Sequence, residues 1–304
     1  KPIEDYVQSE LNKLSKVYMS CYYKFTASSN LMVVYVNVKN SLYVGFEIKR
    51  ETDMSDAVYQ DYWRIYQAVF YTLDSSNNMQ PTGKIALGQG ESEFVFKQDS
   101  TKTDFTGGYH GDEVFQDIKF LADGVLISTS SDITLTSCTQ FEYVEKSTMH
   151  ETANSSGFIA GHPVIAYHTK HTIFKSQGYK TKNYVKWNYN GTLSTLYHGI
   201  ACIHKDVAST VFNDADFTDQ TMNGSTNMYF NAVGARLYKS RNDTNKLAAE
   251  ASATQVKNAA DDATSTLFVH DRTADSKYYR QSPSRTVSVG ELHESYFECK
   301  FLTV

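Results

Sequence analysis

The chain has 304 residues, 41% of them hydrophobic and 21% charged, which excludes a disordered polymer and leaves room for one large domain or two ordinary ones. A net charge of -5 with no basic patch argues against nucleic acid as a partner, and no apolar run approaches the roughly eighteen residues of a membrane-spanning helix. Cys21, Cys138, Cys202 and Cys299 stand far apart with no C-x-x-C; no metal or other cofactor is expected, and the cysteines read as small core residues rather than as disulfides. The opening Lys1-Pro-Ile-Glu-Asp carries neither an initiator Met nor an apolar leader and reads as a processed chain or a fragment.

Taken in order, residues 3–18 place Ile3, Val7, Leu11, Leu14 and Tyr18 at spacings of four, four, three and four, the stripe of an amphipathic helix close to a heptad repeat. Residues 1–19 are therefore expected to form a short helix, docked on its own domain or serving as a stub for homo-oligomers. From Cys21 onward the period changes to two. Met32–Val38 and Ser41–Ile48 read as strands joined by the turn Lys39-Asn40. Residues 56–73 fit either a helix (Tyr59, Tyr62, Trp63, Tyr66, Phe70) or a buried strand over Ile65–Leu73. Further strands are expected over Ser92–Phe96, Val114–Leu121, Gly124–Ser130, a long Ile133–Val144, His162–Phe174, Tyr184–Tyr189, Leu193–His204, Met228–Tyr238, Leu267–His270, Arg285–Val289 and Ser295–Leu302. Between the last groups, residues 243–263 are rich in Ala, Asn, Asp and Lys and read as a polar surface insertion or short helix. The 22 Tyr and 17 Phe, against 2 Trp and 4 Pro, suit β-surfaces that are half wet. The expected fold is all-β: a single jelly-roll-type antiparallel β-sandwich over residues 20–304, after the N-terminal helix.

The densest chemistry lies in Asp104-Phe-Thr-Gly-Gly-Tyr-His-Gly-Asp-Glu113. Glycines there can bend the backbone so that His110 serves as acid or base, with Asp112 and Glu113 projecting beside it toward a substrate. The plainer reading is a glycine-supported hairpin with capping carboxylates. A phosphate cradle is disfavoured, because two acids would repel the anion and no helix pattern follows. In Tyr167-His-Thr-Lys-His171, alternation puts Tyr167, Thr169 and His171 on one face and His168 and Lys170 on the other, which disfavours a metal pair from these two histidines alone. Either could join His110 from a neighbouring strand. The aromatic clusters Tyr62-Trp63, Tyr184–Tyr189 with Trp187, and Tyr278-Tyr279-Arg280 offer faces on which sugar rings stack, with a nearby cation for an acidic sugar. No G-x-S-x-G, P-loop or H-E-x-x-H is present.

Two local resemblances sharpen these readings. Gly107-Gly-Tyr-His-Gly-Asp-Glu113 resembles segments of phage tail fibres and tail-associated glycan-degrading proteins, over about ten residues. Tyr229-Phe-Asn-Ala-Val-Gly-Ala-Arg-Leu-Tyr238 resembles a strand of jelly-roll alginate lyases, a family in which a Tyr and a His act from a concave sheet. There the later Tyr moves a proton, which falls near Arg236 or Tyr238 here, but the extra Val233 breaks the register and Asn231 replaces the family's Lys. The resemblance implies a polysaccharide lyase working by β-elimination on an acidic bacterial glycan, outside the cell or on a virion. On it, His110 or His168 with Tyr167 or Tyr238 would transfer protons, and Arg236 or Lys170 would neutralise the uronate. Asp112, Glu113, Lys170, His171, Tyr184, Trp187 and Tyr229 would bind substrate. A glycoside hydrolase built on Asp112 and Glu113 with Glu291 or Glu294 is the neighbouring enzyme reading. From another class, a non-catalytic glycan- or receptor-binding module would use the same aromatic faces.

Overall fold

A computed structural model of the chain describes residues 18–53, 60–88, 93–99, 101–152, 162–213, 218–257 and 259–304. The N-terminal helix expected over residues 1–19, and with it the oligomerisation stub, falls almost wholly outside them. What is described is nearly all β, with one short α-helix at Ala259–Thr264 and single 3-10 turns at Ala27–Ser29 and Gly108–His110.

The long strand Gln60–Leu73 is the hinge of the architecture. On one side it continues an antiparallel run through Leu42–Asp53, Leu31–Lys39, Cys21–Thr26 and Ile133–Cys138. Its C-terminal half pairs with Met79–Leu87, which touches Gly191–His204 and thereby Asp275–Ser282, Thr266–Asp271 and Met228–Val233. Its first two residues pair in parallel with Glu113–Ala122, which opens a second run through Phe141–His150, Val164–Lys175, Gly178–Trp187, Leu292–Thr303, Leu247–Gln255 and Leu237–Asn242. The result is one branched sheet whose wings face each other and nearly close into a flattened barrel. The expected jelly-roll sandwich is not confirmed: the described strands form one large sheet that nearly closes into a barrel.

Alternation decides what fills the interior. Strand Val164–Lys175 buries His168, Lys170, Thr172 and Phe174 and turns Tyr167 and Lys175 to solvent. Phe46, Phe70, Phe174, Tyr179 and Phe301 interlock between the wings, with Phe46 lying 5.2 Å from Phe174 and 5.3 Å from Tyr179. Burying one such ring stabilises the fold by on the order of 1.5–3 kcal/mol. A smaller apolar cluster around Phe94, Phe96, Ile165, Val185 and Trp187 fills one end. Beside it runs a polar belt that includes Glu113, His168, His198 and His293, the last two with ring centroids 6.5 Å apart.

Several boundaries differ from the sequence reading. The expected strand Ile133–Val144 is two strands, broken at Thr139-Gln140, where the Asp123 carboxylate accepts both backbone N–H groups. Residues 243–263 are not a polar insertion: Leu247–Gln255 is paired on both sides and buries Leu247, Ala249, Ala251 and Ala253. Alanine on a two-sided strand leaves no large apolar signal to read. The ambiguous 56–73 stretch is a strand from Gln60, and Tyr59 lies outside the described residues. Met228–Tyr238 is also broken, by a turn at Gly234 (φ 80°), so the alginate-lyase-like segment is not one strand.

Candidate functional site

The glycine-rich stretch forms a tight loop immediately before strand Glu113–Ala122. Gly107, Gly108 and Gly111 have φ of 111°, 52° and 86°. At Gly108 the need for glycine is also steric, since a Cβ there would fall 1.8 Å from a Glu93 carboxylate oxygen. Gly107 N–H donates to Gly111 O at 2.8 Å, and His110 N–H to Gly107 O at 3.1 Å. Two buried carboxylates hold the loop from inside: Gly108 N–H donates to Glu113 Oε2 at 2.8 Å, and Tyr109 N–H donates to Glu93. The Gln60 side chain adds a 2.5 Å bond to the Tyr109 carbonyl. The backbone that carries His110 is thus fixed on every side.

The His110 ring emerges from this loop at the rim of a groove of about 170 Å³. Its Nδ1 lies 3.7 Å from Asp104 and its Nε2 3.9 Å from Glu93, ion-pair range without hydrogen-bond contact. Phe105 packs beside it, ring centroids 5.1 Å apart, and stacks on Tyr197 at 5.4 Å and 27°. Tyr279 meets Tyr197 edge-on at 5.1 Å and is backed by Phe268, stacked at 5.5 Å. Lys277 and His270, directly opposite each other on neighbouring strands, complete the lining with Ile200. Alternation in Gly191–His204 turns Tyr197 to the groove and His198 inward, and a register shift just after Tyr197 brings Ile200 opposite Tyr279. Burial and the neighbouring Tyr197 push the Tyr279 hydroxyl up to about 12, and burial raises Tyr197 as well. Both phenols are therefore protonated at neutral pH, and the Tyr279 hydroxyl donates to Met228 Sδ at 3.2 Å, a weak acceptor that a sugar oxygen could replace.

The other sequence-derived residues divide by face. His168 is 3% exposed and cannot meet a polymer; its Nδ1 contacts Glu113 Oε1 at 2.9 Å and its Nε2 faces Asn183 Oδ1 at 3.1 Å. Glu113 also accepts from Ser147 Oγ at 2.5 Å. Burial alone would raise the Glu113 carboxyl, but the His168 bond, the His168 and Lys170 charges and Gly108 N–H bring it down to about 2. Lys170 is equally enclosed: it pairs with Glu145 at 2.5 Å and donates to Trp63 O at 2.6 Å. Glu113, His168 and Lys170 therefore support the loop and the wing rather than touch substrate, which corrects their expected roles.

Tyr238 is fully buried and donates to Ser276 Oγ at 3.1 Å, so it is not a proton-transfer group at a surface. Trp187 packs edge-on against Phe96 at 4.9 Å inside the smaller cluster and is out of reach of a sugar. Arg280 is buried against Asp262 and the carbonyls of Ala235 and Ala253, and Tyr62 and Trp63 are also enclosed. Arg236, half exposed, pairs with Asp262 at 2.8 Å, away from the groove lining, and half-buried Tyr229 contacts Ser225 at 3.3 Å. Asp112 is buried with φ of 56°, and burial pushes its carboxyl up to about 6 against an opposing bond from Thr152. Tyr167 and Tyr184 do share a surface, a separate outer depression of about 280 Å³ with Lys186, Lys257, Leu292 and Glu294. His171 points outward too and contacts Glu142 at 2.6 Å. Glu291 pairs with Arg285 and Glu294 accepts from Tyr296, so neither joins Glu113 as a hydrolytic carboxylate pair.

The structure thus brings His110 together with Phe105, Tyr197, His270, Lys277 and Tyr279. Of these partners only Tyr279 was marked by the sequence, within its aromatic cluster. The alternation of Lys277, Tyr278, Tyr279 and Arg280 could have assigned Lys277 and Tyr279 to one face.

No protein-family model matches the sequence, and no curated protein matches it. Among solved structures, the chain is similar to the Slr1438 protein from Synechocystis sp. PCC 6803, with a TM-score of 0.39, 9% identity, and 95% of this chain and 99% of that one covered. It is also similar to a heparinase III, with a TM-score of 0.35 and 7% identity over 88% of this chain. The chain spans about a third (35%) of that heparinase.

Proposed function

We propose that the protein depolymerises an acidic polysaccharide by β-elimination in the His110 groove. The observation that carries this reading is the convergence, in one groove, of an imidazole on a fixed loop, a lysine, and the rings of Phe105, Tyr197 and Tyr279. Elimination at a uronate needs each of these. His110 would remove the proton at C5, with Asp104 and Glu93 close enough to favour its protonated form afterwards. Lys277 would neutralise the uronate carboxylate, without which the carbanion is too unstable to form. Tyr279, kept protonated by its surroundings, would donate to the departing glycosidic oxygen. Phe105 and Tyr197 would carry the sugar face. On this reading the protein works outside the cell or on a virion.

His110→Ala is expected to abolish the unsaturated, ultraviolet-absorbing ends released from an acidic polysaccharide, a loss of about 10²–10⁴-fold, while the fold is retained. Wild-type product formation by that variant would overturn the assignment. A second reading, a glycan-binding module without turnover, is favoured by the outer depression bearing Tyr167 and Tyr184. Product analysis separates the two, because a binder retains the polymer at full length and a hydrolase shortens it without unsaturated ends.

A further inference from the structure

Strand Cys21–Thr26 pairs with strand Ile133–Cys138 in a register that sets Cys21 directly opposite Cys138. Spacing in the sequence hides this, because the two residues are on the order of a hundred positions apart. Both side chains are buried, Cys21 at 0% and Cys138 at 2% exposure, and both are free thiols. Cys21 Sγ also points toward the Phe174 carbonyl at 3.6 Å, on the facing wing. Opposed residues on antiparallel strands have Cα atoms about 4.5–5.5 Å apart, inside the roughly 4.4–6.8 Å window that a disulfide spans. The remaining two thiols have no such partner: Cys202 lies opposite Lys277, and Cys299 opposite Tyr179 on one side and Ala251 on the other. The molecule therefore holds one cysteine pair placed for oxidation and two cysteines with no cysteine opposite them as internal controls.

We infer that Cys21 and Cys138 are a redox modification site, closing to a cross-strand disulfide by exchange with a low-molecular-weight disulfide such as oxidised glutathione. One thiolate attacks a sulfur of the oxidant, forming a mixed disulfide and releasing one glutathione thiolate. The second cysteine thiolate attacks the protein sulfur of that mixed disulfide and expels the other glutathione. The two cysteines lose two electrons and two protons, and one oxidised glutathione becomes two reduced molecules. The contact with Cys138, then burial, keep the Cys21 thiol well above the usual range, so exchange on the folded protein is slow and needs mildly alkaline buffer or oxidation during refolding.

The closure has a structural consequence. Ile133–Cys138 is tied to the sheet only through Cys21–Thr26 among the described residues, and that pairing already slips between Tyr23 and Phe25. A covalent link at its end would pin this outermost strand to Cys21–Thr26. Because the loop it closes is long, the cross-link removes much freedom from the unfolded chain. A protein that stays reduced in the cytosol and oxidises on release would gain this clamp only outside the cell.

The test is a peptide map. The full chain is equilibrated in a glutathione buffer poised oxidising, either folded at mildly alkaline pH or during refolding, then alkylated in denaturant and digested without reductant. The expected map shows Cys21 linked to Cys138, with Cys202 and Cys299 alkylated. The melting temperature should rise by about 5–10 °C over the reduced protein, a gain reversed by dithiothreitol and absent in Cys138→Ala and in Cys21→Ala. Four alkylated cysteines under both oxidation conditions would overturn the inference. So would a glutathione adduct on either cysteine that never resolves, or a link involving Cys202 or Cys299.

Discussion

Two histidines on either side of one short loop do opposite work. His110, at the tip, faces an aromatic groove and meets its nearest carboxylates only at 3.7 and 3.9 Å. His168 lies inside, bonded at 2.9 Å to Glu113, whose other oxygen accepts the Gly108 amide of the same loop. The outward ring stands at ion-pair range from those carboxylates and lines the groove. The inward ring spends both nitrogens on fixing the support. A chemically suggestive residue type therefore names a site only once its face is known.

The largest effect that would break this division comes from the interior. Lys170→Ala leaves Glu145 buried without its cation and should cost about 3–5 kcal/mol in denaturant unfolding. An unchanged midpoint would mean that the inner polar belt is solvated and open to ligands, erasing the contrast with His110.

Acid titration probes the same belt. Burial and the charge of Arg280 bring the buried His198 imidazole down to about 3 from its ordinary 6.5, so the native state keeps it neutral while the unfolded chain takes up a proton. Stability should hold above pH 6.5 and decline progressively as pH falls toward 3. His293, likewise lowered by burial first and then by the neighbouring cationic groups, acts in the same direction. His198→Gln should flatten part of that slope, read from unfolding curves at stepped pH; an unaltered slope would remove His198 from the explanation.

The smallest effect concerns the two surface aromatic sites. Tyr197→Ala should raise KM for an acidic polysaccharide roughly tenfold, equivalent to about 1.4 kcal/mol, while Tyr184→Ala leaves it unchanged. The reverse pattern would move binding to the outer depression of Tyr167 and Tyr184.

Much of the β architecture was legible because alternation marks strands regardless of their partners. Leu31–Lys39 emerged close to its observed bounds, while Leu42–Asp53 runs five residues past the expected end at Ile48. The strand Leu247–Gln255 did not, because its inward residues after Leu247 are alanines and its outward ones polar. At the site, His110 was legible from the glycines that only a sharp, crowded loop requires. Period two also said correctly that Tyr167 and His168 point apart, but it cannot say which face is inside. That is set by the opposing wing, and it removed His168 and Lys170 from the list of surface residues. Tyr197 was hidden for a different reason: its face follows ordinary alternation, but its meeting with Tyr279 and Phe105 depends on strand pairing across the sheet. The meeting of Cys21 with Cys138 is likewise a matter of register alone.

The central claim is that substrate meets the groove of His110, Tyr197, His270, Lys277 and Tyr279. It is tested most directly by nuclear magnetic resonance titration of the protein with a uronic-acid oligosaccharide, following histidine ring, lysine and aromatic signals. Shifts should concentrate on His110, His270, Lys277, Tyr197 and Tyr279, with His168 and Tyr184 unmoved. Shifts centred on Tyr167, Tyr184 and Lys186, with His110 silent, would contradict it.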